Sequence, residues 1–213
     1  MMHIANIKEF IKSGLNEKLL KEQIFGGAMV LAILSGILFM FGFQYEGIPL
    51  FCAIAGDVLS ILSVLGTAML TKNFNLKRKI QCNAWLSSMN TVIFSLAAYM
   101  FMEIEKTPYR LLFCFIPLIF AGISILYAVL GLKTKIFLKK KKRKNMTLIV
   151  LGTSLGIFLS KTLFDMKDIE HPILFLAVLL LTFACIGAWG AWNFVKLYYI
   201  KRLENQGIPI EKS

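Results

Sequence analysis

Residues 48–70 read IPLFCAIAGDVLSILSVLGTAML, an apolar stretch whose one ionisable side chain is Asp57. Wound as an α-helix at 1.5 Å per residue, it extends about 34 Å, enough to cross roughly 30 Å of hydrocarbon. Lipid cannot hydrogen-bond a bare backbone, so a segment this apolar satisfies its own N–H and C=O groups by becoming helical. Working outward, five more apolar runs lie at 24–43, 84–102, 111–132, 146–164 and 173–195. The run at 146–164 is the weakest, because Lys161 sits inside it. Alternating ten-residue strands, the signature of a membrane barrel, are absent from the pattern. The composition agrees: 57% of the 213 residues are hydrophobic, more apolar side chain than a wetted soluble domain of this size hides.

The sequence therefore predicts an all-α integral membrane protein with six transmembrane helices, arranged as three consecutive hairpins at 24–70, 84–132 and 146–195. Residues 1–23 precede them. Their apolar positions Ile4, Ile7, Ile11 and Leu15 recur at three-to-four spacing with lysines between, which predicts an amphipathic helix lying on the membrane surface. Residues 1–23, polar and charged, do not read as a cleavable leader, and none is expected before the first run. Residues 196–213 read as a basic tail.

Charge fixes an orientation. Lys8, Lys12, Lys18 and Lys21, then Lys72, Lys77, Arg78 and Lys79, then Lys133, Lys135 and the run Lys139, Lys140, Lys141, Lys142, Arg143 and Lys144 all fall on one side. Lys196, Lys201, Arg202 and Lys212 join them. The opposite loops carry Glu46, Glu103, Glu105, Asp165, Asp168 and Glu170 against few cations, and Glu103 and Glu105 read as part of a solvated turn. The positive-inside bias then predicts both termini in the cytoplasm. The Lys-rich, Arg-poor usage hints at an AT-rich bacterial genome, and so at the plasma membrane. Because each basic cluster abuts a span, the expected partner of the net charge of +12 is anionic lipid headgroups rather than nucleic acid. Lys139 to Lys144 are the candidate lipid or partner contact.

A shift of 62 residues, applied twice, aligns Leu50-Phe51-Cys52 with Leu112-Phe113-Cys114 and Leu174-Phe175-Leu176. It also aligns Leu76-Lys77-Arg78 with Leu138-Lys139-Lys140 and Ile200-Lys201-Arg202. This predicts a parallel threefold repeat of helical hairpins.

The residues that break the apolar pattern are the functional candidates. Asp57 lies roughly 12 Å along its helix, where a charge costs about 2.5–3.5 kcal/mol on insertion scales and calls for a partner. Lys161 is the expected partner, in an intramembrane ion pair or a shared polar cavity that Ser60 and either Ser160 or Thr162 would extend. Snorkelling of Lys161 to the headgroups, and protonation of Asp57, are the plainer readings of the same residues. Small and hydroxyl residues at Gly26, Gly27, Ser87, Ser88, Asn90 and Thr91 read first as helix-packing positions.

Four cysteines and two histidines show no metal-ligand spacing, and no catalytic or cofactor motif is present in the sequence. An enzyme is not expected. A transporter or channel for a small solute or lipid is the first functional reading. The alternative is a non-catalytic accessory, immunity or sensor subunit that docks another membrane protein. A homo-oligomer fits either.

Overall fold

The computed structural model describes residues 4–13, 21–72, 74–108, 110–134 and 172–208. The expected span at 146–164, with Lys161, Ser160 and Thr162, and the basic run Lys139 to Lys144 lie outside the described residues. Among the described residues the elements are α1 (Ile4–Lys12), α2 (Lys21–Met40), a 3-10 turn (Gly42–Gln44), α3 (Ile48–Leu70), α4 (Leu76–Ile104), α5 (Arg110–Cys114), α6 (Ile116–Lys133), α7 (Pro172–Trp189) and α8 (Trp192–Asn205). Five stretches among them are long and apolar enough to cross a membrane. These are Lys21–Gln44, Ile48–Leu70, Leu76–Ile104, Arg110–Lys133 and Ile173–Asn205.

Local chemistry sets the boundaries. Gly47 takes φ +75°, a left-handed conformation that only glycine adopts cheaply, and so turns the chain into α3. Pro49 then sits in the first turn of α3, where no N–H is needed. Asn75 caps α4 by accepting the Arg78 amide at 2.9 Å, a contact worth about 1 kcal/mol. The 29 residues of α4 extend well beyond the expected 84–102. Its first two turns carry Lys77, Arg78, Lys79 and Gln81, which suit headgroups rather than hydrocarbon. The expected span 111–132 divides into α5 and α6 around Phe115. Pro117 lacks an amide and its ring crowds the carbonyl four residues back, so the ladder breaks there.

Helix α4 is the centre of the bundle. It packs along α3 on one side and α7 on the other; α2 lies outside α3, and α6 outside α7. Small residues decide which helices touch. Space for a side chain at Gly56 is filled by the Phe39 ring, and at Gly66 by the Trp85 indole. Gly187 and Gly190 meet Ser87, Asn90 and Thr91 of α4. The indole Nε1 of Trp85 also donates to the Ser63 carbonyl at 3.2 Å, tying α4 to α3. Outside these seams the helices present Val30, Ile33, Ile37, Ile54, Ile61, Leu118, Leu126 and Ile186 outward, a surface matched to lipid.

The hairpin expectation divides on the packing. The first hairpin, α2 with α3, packs as one unit, but α4 and α6 scarcely touch and each lies along α7 instead. The Gly187–Gly190 edge of α7 lets its backbone approach α4 closely.

Helix α1, the start of α4, the end of α6 and α8 meet at one end, the basic end. There Lys77 Nζ meets Glu204 Oε1 at 3.0 Å and Oε2 at 2.8 Å, joining the start of α4 to the end of α8. Both side chains are exposed, so Lys77→Ala is expected to lower stability in detergent by less than about 1 kcal/mol, an effect abolished by salt. Thermal unfolding at low and high ionic strength checks it.

Candidate functional site

Asp57 sits on the flank of α3, half-exposed, between the buried seam of Gly56 and Ser60 and the outward row of Ile54, Val58 and Ile61. It makes no hydrogen bond or ion pair to another described residue. Ser60 does not extend a cavity toward it. Its side chain turns into the α2–α3 seam, where its Oγ lies 2.6 Å from Ser35 Oγ. Ser60 Oγ also reaches the Gly56 carbonyl at 2.8 Å, and Ser35 Oγ reaches the Ala32 carbonyl at 3.0 Å. Two hydroxyl protons thus serve three contacts, and both side chains are buried. The structure places Asp57 and Ser60 one turn apart yet in different environments: the serine is buried in a helix seam, and the carboxylate is left half-exposed beside it. Helical phase explains this, since a three-residue step rotates a side chain by about 60° about the axis.

A second polar cluster lies at the basic end, and it departs from expectation. The apolar face of α1 is seated on protein: Ile7, Phe10 and Ile11 are buried against Ala128, Leu132, Tyr199, Ile200 and Leu203 of α6 and α8. Asn6 Nδ2 donates to the Leu132 carbonyl at 2.6 Å, covering the open C-terminal end of α6. Lys196, expected among solvated tail cations, is only 1% exposed. Its ammonium donates to the Ser13 carbonyl just past α1. It lies 4.6 Å from the Trp192 ring centroid and 5.7 Å from that of Phe10. A helix C-terminus and two aromatic faces all favour a cation, so the buried charge is held without a carboxylate. Residues 192–205 are accordingly a packed helix rather than a loose tail.

Two further groups escaped the sequence reading. Ser124 bridges the break between α7 and α8: its Oγ donates to the Trp189 carbonyl and accepts the Trp192 amide at 3.2 Å. The same break has Gly190 and Ala191 amides bonded three residues back, at 2.8 and 3.0 Å. Trp189 and Trp192 face Tyr127 at 6.0 Å and Phe10 at 6.3 Å between centroids. At the far end, Glu103 is not part of a solvated turn. Arg110 pairs with it through Nε, and through Nη2 at 3.1 Å, while Nη1 reaches the Thr107 carbonyl at 3.3 Å. Opposite charges seven residues apart across a turn were the legible signal for that pair. A lysine one turn after Trp192 was the signal for the other.

Beside this far-end clasp, Phe41, Tyr45, Phe101, Ile104, Ile173 and Leu176 line an apolar depression of about 230 Å³, and Asp57 is not among them. Comparison with family profiles, characterised proteins and solved structures finds no match for this chain.

Proposed function

We infer that this chain is a non-catalytic membrane subunit that docks a second membrane protein through the Asp57 flank of α3. One observation carries the reading: a half-exposed mid-helix carboxylate with no bond to another described residue, while the neighbouring hydroxyls are consumed in sealing α2 to α3. A carboxylate in that position demands a cation or a strong donor at the same depth. The chemistry of the partner follows: an apolar helix bearing Lys, Arg or His near its middle. Basic connectors on the side read as cytoplasmic add electrostatic attraction without a geometry of their own.

Transport of a small solute or lipid is the second reading. Intramembrane carboxylates often mark an ion or proton route, and Asp57 is half-exposed. The two readings separate in one experiment. The tagged chain is extracted from its native membrane in mild detergent and the intact complex is weighed by mass spectrometry. Docking predicts a stoichiometric second membrane protein. A monomer or homo-oligomer alone would overturn it and leave transport as the working function.

A further inference from the structure

Helix α1 is amphipathic and so suited to two environments, yet here its apolar face is seated on protein. The seat carries two unusual costs. Asn6 Oδ1 is buried with no hydrogen-bond partner, and Lys196 is nearly stripped of water. Each would regain hydration if α1 left. The gain from seating is burial of Ile7, Phe10 and Ile11, and the lipid interface offers the same three side chains an equivalent apolar environment. Ile4, at 46% exposure, already lies outside the seat. Lys8, on the same helix, is half-exposed. The same apolar face thus suits two environments.

We propose that α1 is a detachable strap over the basic end of the bundle, clasped by Lys196 through the Ser13 carbonyl and the Phe10 and Trp192 rings, and that anionic phospholipid competes for it. Seated, α1 covers Leu132, Tyr199, Ile200 and Leu203 and caps α6. Released, it lies on the bilayer and uncovers that apolar patch together with the Lys196 ammonium. The clasp acts through charge: a cation suits a helix C-terminus and aromatic faces, and an anion opposes all three. The competition acts through lipid headgroups, since each lysine near an anionic surface adds to the attraction.

The test uses the full chain, freed of its native cysteines and spin-labelled at the exposed positions Glu9 and Lys201, in vesicles. Electron–electron distance distributions are recorded in phosphatidylcholine and in phosphatidylglycerol. The strap predicts one dominant short distance in phosphatidylcholine and a second, longer population that grows in phosphatidylglycerol. Lys196→Glu is expected to raise the long-to-short ratio by about tenfold or more, the scale of losing a charged hydrogen bond. Lys196→Arg, which keeps the cation and its donors, retains the wild-type ratio. Should Lys196→Glu fail to fold, the lipid comparison on wild-type protein decides alone. A single unchanged distance in both lipids would overturn the proposal and make α1 a fixed part of the bundle.

Discussion

Replacing Gly187 by leucine is expected to cost about 3 kcal/mol, the upper part of the range for overfilling a packed interior. A Cβ built there stands 2.8 Å from Asn90 Nδ2, 2.9 Å from Thr91 Oγ1 and 3.1 Å from the Ser87 carbonyl. The Asn90 amide has room to swing. The other two contacts do not yield so easily, because Thr91 Oγ1 is held to the Ser87 carbonyl at 2.8 Å and that carbonyl belongs to the helix itself. Helix α7 must then move away from α4, opening the seam on which the bundle is centred. Gly122→Ala in α6 is the matched control. No described residue lies within 4 Å of its added Cβ, and alanine is the better helix former by up to about 1 kcal/mol. Thermal unfolding in detergent should therefore show a large loss for one glycine and a neutral or small gain for the other. Equal, small effects would mean that the α4–α7 seam is not a close one.

Asp57→Asn carries the largest functional effect. Removing one member of a desolvated charge pair costs about 3 kcal/mol or more, which is over a hundredfold in affinity. The partner recovered with wild-type protein is expected to be lost, while the amount of the chain in the membrane is unchanged, since asparagine is less costly in hydrocarbon than a carboxylate. Full recovery of the partner with the variant would sink the docking role. Under the transport reading the variant instead abolishes flux and leaves the mass of the complex as it was. The exchange of charges tests the pairing of Asp57 with Lys161 that the sequence suggests. If they pair within one chain, the exchange Asp57→Lys with Lys161→Asp restores what Asp57→Lys alone destroys; if the cation belongs to another protein, it does not.

Asp57 was legible because an ionisable residue in an apolar run violates a local rule, and the violation needs no tertiary information. Its separation from Ser60 was not legible, although the two are three residues apart, because the position of α2 decides which side of α3 is sealed. Lys196 was assigned to the wrong environment for a similar reason. By charge it belongs with Lys201 and Arg202, and only the arrival of Phe10 and the α1 carbonyl from the other end of the chain makes burial tolerable. Glu103 was likewise read as solvated, because its partner Arg110 lies across a turn whose geometry periodicity does not describe.

Helical structure, and the length and apolarity that let five described stretches cross a membrane, follow from hydropathy alone, since backbone satisfaction and side-chain transfer act within each segment. Tertiary structure alone decided the order of packing, with α4 between α3 and α7, and the seating of α1 on α6 and α8. In lipid the apolar faces of all helices are nearly equivalent as solvent contacts. Which faces meet is then set by where backbones can approach, at Gly56, Gly66, Gly187 and Gly190, and by hydroxyl, indole and ammonium contacts between residues remote in sequence.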